Sequence, residues 1–237
     1  MTLRRPPLNV LDTTTIRALA DALAALDDAR HLKAVVLRSG LDGTFSAGAD
    51  VGEHARDKAP EMLEAFHALI RRMGALPQTT VAAVDGRCLG GGCELALFCD
   101  VVFATPRSTF GQPEIDLACF PPVASAWLTR LAPRAAFEMV LGGAPMDAPA
   151  AAAAGLITRV VDDADAAAQE WTERVSAKSA AALALARRAL RTGAEGDFDD
   201  ALRRLEALYL TEVLATEDAE EGVAAFLQKR RPAWRDR

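Results

Sequence analysis

Apolar residues recur at helical spacing over 13–29, "TTTIRALADALAALDDA", and this predicts an amphipathic helix capped by Asp12 or Thr13. The β-branched run "KAVVLRS" at 33–39 predicts a short strand. A second helical pattern covers 60–76, with Pro60 suited to the first turn. "TTVAAVDG" at 79–86 is apolar without alternation, as in a strand buried on both faces. A short helix follows the glycines at 90–92, and 100–105 and 108–114 predict strands or extended edges. This alternation predicts an α/β architecture. From about Pro122 onward helical patterns dominate. "AAFEMVLGG" stops on a glycine pair, "PAAAAAGLITRVVD" reads as helix then short strand, and 163–230 reads as successive helices broken near "TGAEGDFDD". The pattern divides the chain into a strand-rich core, 1–162, and a helical region, 163–237, suited to packing and oligomerisation. No internal repeat is visible.

Composition narrows the function classes. The chain has 237 residues, enough for a sizeable core, and its 51% apolar and 25% charged residues fit a globular protein. A net charge of -6 argues against broad attraction to nucleic acid or membrane. No apolar run spans a bilayer, and "MTLRRPPLNV" lacks the apolar stretch of a signal peptide, so a cytoplasmic location is expected. The spacing of Cys88, Cys93, Cys99 and Cys119 matches no zinc pattern, and only three histidines accompany them. No metal is expected, and the cysteines read as reduced, packed thiols.

The stretch "GRCLGGGCELALFCD", 86–100, carries the chemistry. Strand, glycine turn and helix start expose backbone N–H groups. Three phosphate or nucleophile templates fail here. No Lys-Ser or Lys-Thr follows the last glycine, the spacing is not that of a dinucleotide fingerprint, and no serine sits between glycines. A nearby glutamate would also repel phosphate. The turn therefore suits an oxygen that becomes negative only during reaction. The small-residue loop "TFSAGADVGEH", 44–54, offers a second donor through Ala47, Gly48 and Ala49. A third piece, "FGQPEIDLACFPP", presents Glu114 after Pro113. If Glu94 and Glu114 meet, their proton affinities separate, so that one acts as acid and the other as base.

Together "FSAGAD", "VAAVDGRCLGGGCELALFCDVVFAT" and "TFGQPEI" resemble the crotonase (enoyl-CoA hydratase/isomerase) superfamily, and the likeness continues through "FEMVLGG", "AAAAGLITRVV" and "EEGVAAFLQKRRPAW". The resemblance implies a spiral of ββα units with a helical C-terminal region, assembled as homotrimers or dimers of trimers. It implies that the N–H groups of Ala49 and Gly91 form an oxyanion hole for an acyl-CoA carbonyl, that Glu94 activates water and that Glu114 protonates the substrate carbon. It assigns CoA and acyl contacts to Ala47, Asp50, Val51, Gly52 and Phe120. Phe226 and Lys229 are assigned to the ligand of a neighbouring subunit. No cofactor is implied, since coenzyme A enters as part of the substrate.

Three departures stand out. "FPPVASAWL", 120–128, replaces the family's glycine-rich stretch, so Phe120 and Trp127 are expected to reshape the acyl pocket. Its Phe-Pro-Pro form resembles hydratases of cyclohexa-1,5-diene-1-carbonyl-CoA. Gly52 stands where hydratases often carry a lysine, and only five residues precede Pro6, where members carry one or two strands. The implied activity is water addition across a double bond conjugated to a CoA thioester. Isomerisation, thioester hydrolysis or decarboxylation remain alternatives, as does a non-catalytic acyl-CoA or RNA binder.

Overall fold

The computed structural model describes residues 1–27, 29, 31–193 and 196–237. The helix predicted over 13–29 and the break predicted near 192–200 extend onto Asp28, Ala194 and Glu195, which lie outside the described residues.

In chain order the elements are β1 (Thr2–Leu3), α1 (Thr13–Ala24), β2 (Ala34–Ser39), β3 (Thr44–Ser46), α2 (Ala59–Ala75), β4 (Thr79–Val84), β5 (Arg87–Leu89), α3 (Gly91–Leu97), β6 (Val101–Ala104) and β7 (Thr109–Gly111). There follow α4 (Pro122–Leu131), α5 (Pro133–Gly142), β8 (Met146–Asp147), α6 (Ala148–Ala153), β9 (Arg159–Val160), α7 (Ala164–Ser176), α8 (Ala180–Gly193), α9 (Phe198–Leu208) and α10 (Glu217–Leu227). Two compact units result. The first comprises Met1–Ala24, Val35–Ala75 and Thr80–Glu170, and the second Ala25–Ala34, Leu76–Thr79 and Trp171–Arg237.

The first unit is built on two sheets, ordered β1-β2-β4-β6-β9 and β3-β5-β7-β8. Each of β2-β3, β4-β5 and β6-β7 sends one strand to each sheet; α2 follows the first pair after a 3₁₀ turn, and α3 follows the second directly. A ββα repeat is therefore present although no sequence repeat announces it. The second strand of each pair is only three residues long, and β3 is buried at every position, so neither length nor alternation marks it. β3, β5 and β7 run parallel, with Thr44 opposite Arg87 and Leu89 opposite Gly111. Of the short segment before Pro6, Thr2–Leu3 pairs at the sheet edge, parallel to β2.

Local chemistry explains the boundaries. Asp12, not Thr13, caps α1, accepting from Thr15 N at 2.8 Å. α5 stops on Gly143, whose φ of +68° suits a helix C-cap. At the β4–β5 corner Gly86 has φ +87°, and a Cβ there would stand 2.0 Å from Gly43 O. The core gathers Phe45, Phe103 and Phe110, each fully buried, around the two sheets.

The second unit is helical. Buried Asp218 accepts from Arg235 N at 2.7 Å and Asp236 N at 2.9 Å, and Arg187 donates to Leu76 O. The Asp218 bonds hold the segment after α10 to that helix, and the Arg187 bond ties α8 to the residue that follows α2. Among the described residues no helix is long and apolar enough to cross a membrane.

Candidate active site

A cavity of about 490 Å³ in the first unit is lined by Ala49, Gly91, Glu94, Glu114 and Phe120, among others. The two small-residue loops meet at its wall. A Cβ built on Gly91 would stand 3.4 Å from Ala49 N. The backbone directions follow from the pairing. Leu11 bridges to Ala49 in parallel, and its N–H donates to Gly48 O at 2.8 Å while its carbonyl accepts from Asp50 N at 3.1 Å. Both bonds go to residues flanking Ala49, so the N–H of Ala49 points away from Leu11. Gly91 opens α3, where an N–H has no partner within the helix. The fold thus leaves two adjacent donors for a ligand oxygen.

The carboxylates occupy different surroundings. Glu94 lies in the first turn of α3, a helix buried at all seven positions, and is only 5% exposed. Its Oε1 accepts from Ala124 N at 2.6 Å, at the start of α4. Burial, reinforced by the nearby Glu114 carboxylate, pushes its pKa up to about 7. Glu114 is half-buried in the 3₁₀ turn Pro113–Leu117 that follows β7. Burial raises its pKa as well, while His54 opposes the rise. Its Oε2 is buried without a partner, and its Oε1 would come within 2.7 Å of a Cβ at Gly90. The glycine turn is therefore the surface against which the second carboxylate rests.

Residues 1–237 match the family described as enoyl-CoA hydratase/isomerase. The chain belongs to this family. It is 39% identical over 238 residues to a cyclohexa-1,5-dienecarbonyl-CoA hydratase of Thauera aromatica, spanning 99% of this chain and 92% of that protein. It is 37% identical over 243 residues to a probable enoyl-CoA hydratase of Mycobacterium bovis, spanning 100% of this chain and 94% of the relative. The crystal structure of an enoyl-CoA hydratase from Bacillus anthracis superposes with a TM-score of 0.93 at 28% identity, covering 100% of this chain and 94% of that one. The crotonase-type fold expected from the sequence is thus the fold found.

Within this enoyl-CoA hydratase/isomerase chain, other expected site residues fall less centrally. Asp50 caps the 3₁₀ turn Val51–His54, accepting from Gly52 N at 2.7 Å, and Val51 and Gly52 are exposed on that turn. The N–H of Ala47 donates to Leu8 O at 3.0 Å. None of these four lines the cavity. Phe226 and Lys229 belong to the second unit, where Phe226 is 82% exposed. Phe120 does line the cavity, whereas Trp127 lines an adjoining groove. Trp127 turns its Nε1 to Leu97 O at 2.9 Å and packs its ring against Phe98.

Sequence reasoning left out His54, His67 and Cys119, all of which line the cavity. The ring of His54 is held by a 2.9 Å hydrogen bond between Nδ1 and Asp50 O. No histidine lies near a cysteine in the sequence, yet the fold brings Cys119 and His54 to one cavity. The thiol remains a poor nucleophile, because burial and the Glu114 carboxylate push its pKa up.

The elevated pKa of Glu94 carries a stability consequence. Its folded value of about 7 lies above the ordinary 4.5, so the folded state binds more protons between those pH values. Folding loses stability as pH rises through that window, by about 3 kcal/mol in full. Glu94→Gln removes the ionisation. In urea denaturation the variant is expected to gain on the wild type between pH 5 and pH 8; an unchanged difference would place the burial penalty elsewhere.

Proposed function

We propose that this chain is a hydratase that adds water across a double bond conjugated to a CoA thioester. The observation that carries the reading is the convergence of Glu94 and Glu114 on one cavity beside the free N–H groups of Ala49 and Gly91. In this mechanism the two N–H groups hold the thioester oxygen and stabilise the enolate as charge develops on it. Glu94 takes a proton from water, whose oxygen bonds to the β-carbon, and Glu114 gives a proton to the α-carbon. A base with a pKa of about 7 is both ionised in part at neutral pH and stronger than an ordinary carboxylate. Isomerisation needs one carboxylate to shuttle a proton, and the pair with room for water favours hydration.

For the acyl group, a cyclic dienoyl ring is our preferred substrate. The likeness to the Thauera aromatica hydratase and the Phe120-Pro121-Pro122 turn along the cavity wall support it. Purified protein is expected to deplete the conjugated absorbance of the cyclic 1,5-dienoyl-CoA faster than that of crotonyl-CoA. Efficient hydration of crotonyl-CoA alone would replace the ring with a linear acyl chain. Release of free CoA without hydration would make the enzyme a thioesterase.

The proposed assembly is a homotrimer or a dimer of trimers. Exposed Leu190, Phe198, Leu210, Phe226 and Leu227 on the second unit support burial between copies, with Phe226 and Lys229 then available to a neighbour's ligand. Light scattering is expected to give three or six times the 25.2 kDa chain mass, and a monomer at working concentration would end this reading.

A further inference from the structure

A second groove adjoins the cavity. It encloses about 310 Å³ and shares His67 and Pro122 with the cavity lining. Its remaining walls differ in chemistry, with Ile70, Phe98 and Trp127 beside Arg71 and Arg130.

Helical spacing explains the succession. On α2, Leu63 and His67 line the cavity, and His67 and Arg71 line the groove, so one stripe at four-residue intervals runs from one space into the other. On α4, Pro122 borders both spaces, while Val123, Ala126, Trp127 and Arg130 border only the groove. The two helices thus carry an apolar floor away from the carboxylate pair and end it in two cations. Neither Arg71 nor Arg130 has a carboxylate partner among the described residues. The Nε2 of His67, in the shared wall, is buried without a partner.

We infer that this groove is a distal acyl subsite for a CoA thioester whose acyl group ends in a carboxylate, held by Arg71 and Arg130. The inference rests on the hydratase reading and extends it, adding an ω-carboxy acyl class to the acyl groups that the cavity takes alone. An apolar chain lies against Ile70, Phe98 and Trp127, and the terminal carboxylate meets two planar donors able to bind it in bidentate fashion. A terminal methyl group gains the apolar contact and leaves both guanidinium groups to water.

The test compares 2-enoyl-CoA thioesters of about six to ten carbons, a range matched to the two helical turns between Leu63 and Arg71. Each length is supplied with a terminal methyl or a terminal carboxylate. In the wild type the ratio of kcat/KM, carboxylate over methyl, is expected to exceed one at some length. In Arg71→Ala/Arg130→Ala this ratio is expected to fall about tenfold, with Arg71→Lys/Arg130→Lys in between. A ratio that stays the same in both variants at every length overturns the subsite. Calorimetry with the saturated thioesters of the same lengths separates this failure from that of the hydratase reading. If no thioester turns over but the arginines still determine a preference for the carboxylate-bearing ligand, the groove stands and the hydratase reading falls. If binding shows no such preference, the groove proposal fails whatever the turnover.

Discussion

Glu94→Gln is expected to lower kcat for hydration by about 10²–10⁴-fold, the range typical of a lost general acid or base. Glutamine keeps the Oε1 that accepts from Ala124 N, so the position of α4 against α3 is retained while the titrating group is lost. Glu114→Gln is expected to have an effect of similar size through the other proton. The two losses are not expected to multiply, because water attack and carbon protonation belong to one act and residues working as a unit are not additive. The pH profile distinguishes the roles. Activity that depends on ionised Glu94 rises as pH increases through about 7, and Glu94→Gln loses that limb. A coupled pair titrates jointly, so the limb reports the pair rather than one site in isolation. Steady-state kinetics from pH 5 to 9 on the wild type and both variants make the comparison. Wild-type rates in either variant would remove that glutamate from the chemistry.

The second large effect concerns the corner that delivers the glycine turn. Gly86→Ala is expected to destabilise the fold by about 3 kcal/mol or more. Two costs combine there. A φ of +87° is unfavourable for an L side chain, and the new Cβ would stand 2.0 Å from Gly43 O, a backbone atom that cannot swing aside. The surrounding bonds resist relaxation, since Arg87 N donates to Gly43 O at 3.1 Å and Gly86 N to Ser108 Oγ at 3.1 Å. Gly155→Ala supplies the comparison. Its φ of +79° is similar, yet nothing lies within 4 Å of the added Cβ, so about 1 kcal/mol is expected. Urea midpoints for the two variants separate dihedral strain from collision. Equal shifts would mean that the corner opens freely to admit the methyl group.

These two predictions draw on different sources. Glu94 and Glu114 were named from the sequence because a glutamate beside three glycines, and another after Gln112-Pro113, match a family pattern and suit paired acid–base chemistry. The collision at Gly86 was not legible, because Gly43 is distant in the chain and meets it only at the β3–β5 pairing. The same holds for His54 and Cys119, which share a cavity by folding alone, and for Trp127, whose indole Nε1 finds a carbonyl on α3.

By itself the sequence determined the α/β class, the places of its longer helices and strands, the loop pair and the two carboxylates. These are written in local terms: apolar period, glycine placement and motif spacing. Only the tertiary structure decided that strand pairs divide between two sheets, that the N–H of Ala49 turns away from Leu11, and that α2 and α4 line a second groove beside the cavity, with Arg71 and Arg130 in its wall. Each depends on contacts between segments far apart in the chain, where backbone direction and burial are set by the partner strand or helix rather than by the residue's own neighbours.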